Sequence, residues 1–244
     1  MSKIKKFFTS LFLLAIPPKT GYNSFAQKND KEINLMYTDG ILFDLDGTLW
    51  DSTDLVAEAW NEVIRSNTLL DLHLDGTRLK QLFGQLLPDI AAQLFPNCPK
   101  ARQLELIDLC CKREHEVLAG TCAPLYEDLE LMLKKLSRDC RLFIVSNCQA
   151  GYIETFLKTS HLSSYFEGHL CPGDTGEPKA HNIGEIIRRY DLQSPIYVGD
   201  TMGDYLAAKE NHIPFVFASY GFGSVDAPDY TIQKPMDLIA LFSE

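Results

Sequence analysis

Short apolar segments that end in a polar residue are the feature that most constrains how this chain can fold. Three of them read DGILFDL over residues 39–45, RLFIVS over residues 141–146 and PIYVGD over residues 195–200. A fourth apolar run, PFVFAS over residues 214–219, lacks the terminal acid. Apolar runs of this length are typical of strands buried on both faces of a parallel sheet.

Amphipathic stretches lie between these segments. Apolar residues recur at helical spacing over residues 129–136 and again over residues 183–190. Strands that alternate with helices predict a doubly wound parallel α/β sheet, and ligands of such sheets bind beyond the carboxyl ends of the strands. The polar residues that end the apolar runs are therefore the first candidates for a functional site.

Residues 53–123 differ from the rest of the chain because they contain no strand-like run. Apolar stripes with helical spacing cover residues 56–63, 79–90 and 104–118, and loops are expected between them at 70–76 and 95–99. This pattern predicts an all-helical cap, inserted into a catalytic core made of residues 36–52 and 124–244. We interpret the stripes as the hydrophobic core of the cap and not as a cofactor site.

The first 35 residues allow two interpretations. Three early Lys precede an apolar run over residues 7–16, and a small-residue cleavage site could lie before Gln27, as in a secretory signal peptide. Alternatively, residues 1–35 are an N-terminal extension and Met36 is the functional start. The seven Cys are odd in number and form no CxxC, which favours reduced thiols and a cytoplasmic protein; export after loss of residues 1–26 is the alternative.

Charge and length limit the partners of the chain. The net charge is −10 although the first 29 residues hold five Lys and no acid, so the rest of the chain is strongly acidic. An acidic protein is a poor candidate for nucleic-acid binding, which needs a basic surface. The apolar run over residues 7–16 is too short to cross a bilayer, so stable membrane insertion is not expected. The charge is compatible with a small phosphorylated metabolite as substrate, because a metal ion and a few placed donors can reverse the field locally. The sequence does not indicate an oligomeric state.

The strongest chemical motif is DLDGT, which begins at Asp44 directly after the first apolar run. Two carboxylates two residues apart leave the sheet together, and Gly47 allows a tight turn. Asp44 can attack phosphorus, while Asp46 can protonate a leaving oxygen and later activate water. Thr48 can donate a hydrogen bond to a phosphate oxygen.

Here the chain resembles the haloacid dehalogenase superfamily, whose phosphatases carry DxDGT at this place. The second family motif matches Ser146, followed by Asn147, and the third matches Lys179 near the start of a predicted helix. The fourth matches GDTMGD, which contains Asp200 and Asp204. The resemblance covers residues 38–243 and is most similar to the phosphoglycolate phosphatase and β-phosphoglucomutase-like branch with a helical cap.

The resemblance implies a cofactor and a set of roles. Asp44, Asp200, Asp204 and the carbonyl oxygen of Asp46 would hold Mg²⁺. Three further residues, together with Thr48, would bind the phosphoryl group of the substrate: Ser146, Asn147 and Lys179. The expected reaction is Mg²⁺-dependent hydrolysis of a small phosphomonoester through a phosphoaspartate.

Two other functions remain open at this stage. A sugar-phosphate phosphomutase would carry the same four motifs and a helical cap. A retained fold could also serve as a non-enzymatic binding module, although none of the four motifs is broken.

Overall fold

The computed structural model describes residues 38–242, and the predictions for residues 1–35 lie outside this range. Six strands form one sheet in the order β3-β2-β1-β4-β5-β6, and every neighbouring pair is parallel. The strands are β1 Gly40–Phe43, β2 Arg141–Val145, β3 Gly168–Leu170, β4 Pro195–Gly199, β5 Phe215–Ala218 and β6 Tyr230–Ile232. The four strands expected from the apolar runs are present, whereas β3 and β6, of three residues each, had no recognisable run.

Helices connect the strands and cover both faces of the sheet. They are α1 Thr53–Asn67, α2 Gly76–Lys80, α3 Leu87–Leu94, α4 Lys100–Leu118, α5 Leu129–Leu136, α6 Tyr152–Ser160, α7 Pro172–Thr175, α8 Lys179–Tyr190, α9 Met202–Glu210 and α10 Asp237–Ala240. The predicted doubly wound α/β core with a helical insertion is confirmed. In the part of the chain that the structure describes, no helix is long and apolar enough to cross a membrane.

The central position of β1 determines where the site can form. This strand pairs with β2 on one side and with β4 on the other, and Gly40 is in register with both Arg141 and Pro195. The carboxyl ends of the three strands therefore lie side by side at one edge of the sheet. The backbone N–H of Asp44 continues the pairing by donating to the Val198 carbonyl over 2.8 Å.

Alternation along β1 separates two layers of hydrophobic core. Ile41 and Phe43 belong to the larger layer, which continues into the helical insertion, and Leu42 belongs to the smaller layer on the other face. All three side chains are buried. Burial of both faces explains why the strand reads as an uninterrupted apolar run.

The helical insertion comprises α1 to α4 and differs from the sequence expectation at one point. The stripe over residues 79–90 is not one helix, because the chain breaks between α2 and α3. Gly84 has a φ of +85°, a left-handed conformation that favours glycine, and Pro88 lies in the first turn of α3. The break brings this loop onto the core: a Cβ added at Gly84 would lie 3.0 Å from Thr201 Cγ2.

Candidate active site

Three carboxylates meet at the edge of the sheet where β1 and β4 end. Asp44 follows β1, Asp200 follows β4, and Asp204 lies in the first turn of α9. All three are buried, and each can place a carboxylate oxygen within 4.8 Å of the others. Together with Lys179 they are called the strand-end cluster below.

Lys179 joins two of these carboxylates. It is the first residue of α8, where the helix dipole disfavours a cation, and its buried ammonium instead donates to Asp44 Oδ1 over 2.8 Å and to Asp204 Oδ1 over 2.5 Å. Burial alone would lower the pKa of Lys179, but the two carboxylates outweigh it and raise that pKa above its usual value. The ammonium is therefore charged at any physiological pH.

The strand-end cluster has more negative than positive charge. Burial is the largest influence on the pKa of Asp44 and raises it, although Lys179 opposes the effect. Burial, followed by repulsion from Asp204 and Asp44, also raises the pKa of Asp200 well above its ordinary value. One ammonium does not compensate three buried carboxylates, so the arrangement fits a bound cation.

Asp200 supplies the atom best placed for a metal ion. Its Oδ2 accepts the backbone N–H of Phe222 over 2.6 Å, whereas its buried Oδ1 has no hydrogen-bond partner among residues 38–242. A Cβ added at Gly47 would lie 2.2 Å from Asp200 Oδ2, so the turn after Asp46 can pass this carboxylate only as glycine. An all-oxygen donor set of this kind suits Mg²⁺.

The two oxygens of Asp204 are already engaged. Oδ1 accepts from Lys179, and Oδ2 accepts the Thr201 hydroxyl over 2.7 Å and the Thr201 backbone N–H over 2.9 Å. The Asp204 backbone N–H in turn donates to the Thr201 hydroxyl oxygen over 3.2 Å, which completes a capping box. Asp204 therefore holds the start of α9 and the ammonium of Lys179 in place, in addition to any contact with a metal ion.

Asp46 lies apart from the strand-end cluster and has a different environment. Its Oδ1 accepts the Ser52 hydroxyl over 2.6 Å and the Tyr152 hydroxyl over 3.0 Å. Burial is the largest influence and raises the pKa of Asp46 to about 7, with a smaller contribution from the charge of Asp44; the two hydroxyl donors lower it. A carboxyl group with such a pKa can release and accept a proton near neutral pH.

The predicted phosphate-binding residues surround Asp44 unequally. Ser146, directly after β2, donates its hydroxyl to Asp44, and the buried hydroxyl of Thr48 has no partner within the described residues, as expected for a group that awaits an acceptor. Asn147 behaves differently, because its side-chain amide donates to the carbonyl of Gly84 in the insertion over 2.9 Å. Its side chain therefore connects the core to the insertion.

A small cavity separates Asp46 from the insertion. It is called the insertion cavity below, and the residues that matter most in its wall are Trp60, Phe83, Ile90, Glu114, Gln149 and Tyr152. Glu114, in α4, is only 3% exposed, and its two oxygens accept the Trp60 indole N–H over 2.7 Å and the Gln149 amide over 2.9 Å. A second carboxyl group thus faces the region beside Asp46.

Sequence reasoning did not single out Ser52, Tyr152, Glu114 or Gln149. One signal was available for Glu114: it continues the buried stripe of α4 made by Ile107, Cys111 and Leu118. A charged residue on an apolar helical face needs a buried partner. No comparable pattern marks Ser52 or Tyr152, whose importance depends on their contact with Asp46 across the fold.

The site geometry agrees with the similarity of the chain to known proteins. The family model for haloacid dehalogenase-like hydrolases matches residues 41–218. The chain belongs to this family. The predicted membership in the phosphoglycolate phosphatase-like branch, and the prediction of a phosphatase enzyme, are confirmed. The chain is 27% identical over 215 residues to a phosphoglycolate phosphatase of Aquifex aeolicus, covering 82% of this chain and 95% of the relative.

Solved structures show the same fold. A haloacid dehalogenase-like hydrolase from Streptococcus pneumoniae superposes with a TM-score of 0.74 at 23% identity, covering 86% of this chain and 100% of that one. The protein CbbY from Rhodobacter sphaeroides, solved with xylulose 1,5-bisphosphate, has a TM-score of 0.71 at 17% identity, covering 85% and 100% of the two chains. At these identities the likeness concerns the fold.

Proposed function

We propose that this phosphatase hydrolyses a small phosphomonoester in a Mg²⁺-dependent reaction that passes through a phosphoaspartate at Asp44. The observation that carries the proposal is that two carboxyl groups only two residues apart in the sequence lie in different environments. Asp44 is held by the Lys179 ammonium inside the strand-end cluster, whereas Asp46 faces the insertion cavity with a pKa of about 7. One group is suited to attack phosphorus and the other to transfer protons.

In the first step, a carboxylate oxygen of Asp44 attacks phosphorus while the bond from phosphorus to the leaving oxygen breaks. Lys179 holds Asp44 in position, and its positive charge, with the hydroxyls of Ser146 and Thr48, stabilises the transferring phosphoryl oxygens. Asp46 gives its proton to the leaving oxygen. Ser52 and Tyr152 both bind Oδ1 of Asp46, which leaves Oδ2 for this exchange.

In the second step, Asp46 is a carboxylate and takes a proton from water as that water attacks phosphorus. The acyl phosphate bond breaks, phosphate leaves, and the carboxylate of Asp44 is restored. A Mg²⁺ ion, held by Asp44, Asp200, Asp204 and the carbonyl oxygen of Asp46, would supply positive charge next to the phosphoryl group. We further propose that residues 53–123 act as a cap that admits substrate and water.

The direct test is phosphate release by the purified protein with Mg²⁺ from a panel of phosphomonoesters. Acid quenching during turnover, followed by intact mass measurement, should show an added phosphoryl group on the wild type and none on Asp44→Asn. Phosphate release without any covalent adduct, and retained by Asp44→Asn, would contradict the phosphoaspartate mechanism.

The same experiment addresses the other two candidates. A phosphomutase would isomerise a sugar phosphate in the presence of a bisphosphate primer much faster than it releases phosphate. A binding module would release none and would form no adduct. We expect release of phosphate to be the main reaction.

We also propose that the protein is cytoplasmic. This location depends on whether the N-terminal segment is a signal peptide, and residues 1–35 lie outside the described range. Sequencing the N-terminus of the native protein tests it. A mature terminus at Gln27 would instead indicate export.

A further inference from the structure

The insertion cavity is where the leaving group of a substrate would lie, because it adjoins both Asp44 and Asp46. The charged side chains in its wall, within residues 38–242, are Asp44, Asp46 and Glu114; no Lys, Arg or His contributes. The nearby Lys179 is buried and bound to two carboxylates. The wall therefore offers a leaving group carboxyl groups and hydrogen-bond acceptors, but no cation.

The surroundings of Glu114 show that a negative charge is unfavourable in this region. Burial raises the pKa of Glu114 to about 8, and the charge of Asp46 makes a minor contribution in the same direction. The two N–H donors that bind Glu114 lower its pKa but do not cancel this effect. The environment thus disfavours an anion whether or not Glu114 holds a proton. An anionic group of a substrate placed beside it would meet the same penalty.

The groove next to the insertion cavity is also lined by acidic and apolar side chains. Leu87, Asn147, Cys148 and Gln149 line both spaces, so the two are adjacent. The charged residues in the wall of this groove are Glu105, Asp108 and Glu177, and the described chain places no basic residue there. A substrate that enters between the insertion and the core therefore passes acidic and apolar side chains.

Building on the proposed function, we propose that this phosphatase selects phosphomonoesters whose leaving group has no negative charge, and that Glu114 is the residue that determines this selection. The preferred leaving group is a neutral or cationic alcohol with a hydrogen-bond donor that can reach Glu114. This preference differs from that implied by the name of its phosphoglycolate phosphatase relatives, since glycolate is an anion. A phosphorylated leaving group, as in a sugar bisphosphate, is disfavoured for the same reason.

Three esters of nearly equal size test the selection: 2-hydroxyethyl phosphate, 2-aminoethyl phosphate and 2-phosphoglycolate. With wild-type protein and Mg²⁺, kcat/KM for the first two should exceed that for 2-phosphoglycolate by about 10-fold or more, as repulsion without a compensating cation predicts. Equal or better hydrolysis of 2-phosphoglycolate would overturn the inference while leaving the phosphatase proposal intact. Failure to release phosphate from these esters and from p-nitrophenyl phosphate would overturn both.

The role of Glu114 is tested by the ratio between substrates. Assayed at about pH 9, above the pKa of Glu114, Glu114→Gln should raise kcat/KM for 2-phosphoglycolate relative to 2-hydroxyethyl phosphate by about 5-fold, because the negative charge of the leaving group is no longer opposed by a carboxylate. Glu116→Gln is the matched control, since Glu116 is on the same helix with its side chain 66% exposed, and should leave the ratio unchanged. A parallel loss for all three esters would show that Glu114 has only a structural role.

A second variant keeps the test valid if Glu114→Gln fails to fold. Leu87 lies at the first position of α3, is partly exposed, and lines both the cavity and the groove. Leu87→Lys would add the missing cation there. It should raise the relative kcat/KM for 2-phosphoglycolate by about 3-fold or more. An unchanged ratio would contradict the electrostatic basis of the selection.

Discussion

The strand-end cluster and the insertion cavity are adjacent but are built in different ways. Asp44 and Asp200 each occupy the position directly after a strand, and Lys179 is the first residue of a helix, so the parallel sheet alone brings them together. The side chains of the cavity come from separate helices: Trp60 from α1 and Glu114 from α4. Under the proposed function, the first region acts on the phosphoryl group and the second contacts the leaving group.

The comparison predicts that the largest loss of activity arises in the strand-end cluster. Asp44→Asn should lower kcat by at least about 1,000-fold, because an amide cannot attack phosphorus. The variant should keep its fold, since the amide is close in size to the carboxylate, and circular dichroism with thermal melting would verify this. If Asp44→Asn kept a kcat within about 10-fold of the wild type, the strand-end cluster would not be the region that carries out the chemistry.

Removal of the metal should have the next largest effect. Treatment with EDTA should lower phosphate release by at least about 100-fold, and added Mg²⁺ should restore it, because one ammonium does not balance the three buried carboxylates. Asp200→Asn should raise the Mg²⁺ concentration needed for half-maximal activity, since the free Oδ1 of Asp200 is the candidate ligand. Full activity in metal-free buffer would contradict the metal site.

Replacement of Tyr152 should shift the pH dependence of kcat/KM more than it lowers the maximal value of kcat/KM. The Tyr152 hydroxyl lowers the pKa of Asp46, so Tyr152→Phe should raise that pKa and keep Asp46 protonated to higher pH. The alkaline limb of kcat/KM should shift upward by about 0.5–1 pH unit. Tyr165→Phe, which removes an exposed hydroxyl bonded to Glu130, is the control; an equal shift there would show that the effect is not local.

The smallest expected effect on activity comes from a change that acts on stability instead. A Glu side chain has a pKa of about 4.3 when unfolded, whereas that of Glu114 is about 8 in the fold. The folded protein binds the extra proton, so this contribution is complete below the unfolded pKa and is lost as pH rises through about 8.

Glu114→Gln cannot titrate and should remove that part of the pH dependence. Between about pH 5 and pH 8.5, its melting temperature should fall by about 8–15 °C less than that of the wild type. Glu116→Gln should follow the wild type. Identical profiles for Glu114→Gln and the wild type would mean that Glu114 has the same pKa in the folded and the unfolded protein.

The same contrast explains what could be predicted from the sequence. An apolar run followed by Asp44 or Asp200 indicates both a strand and the position of a carboxylate at its end, because the two depend on a few adjacent residues. The short strands β3 and β6 were missed because three residues do not establish a pattern. The stripe over residues 79–90 was predicted without the break at Gly84, where a single residue changes the direction of the chain.

The cavity could not be predicted in the same way. Its geometry depends on contacts over long separations in sequence, such as those from Tyr152 to Asp46 and from Gln149 to Glu114. Helical spacing shows that a face is buried but not which other helix covers it. The buried position of Glu114 was therefore readable from the stripe, whereas its neighbours were not.

The two hydrogen bonds from the loop after β2 bear on how firmly the insertion is held against the core. Asn147 donates to Gly84 and Gln149 donates to Glu114, so both bonds join the core to the insertion on either side of Cys148. A hydrogen bond contributes about 0.5–1.5 kcal/mol net, so two together would favour contact between the core and the insertion over their separation by a factor of roughly 5 to 150, in addition to the Lys80–Asp51 ion pair. Under the proposed function, a preference of that size would hold the insertion over the site and still leave a separated fraction through which substrate enters and phosphate leaves.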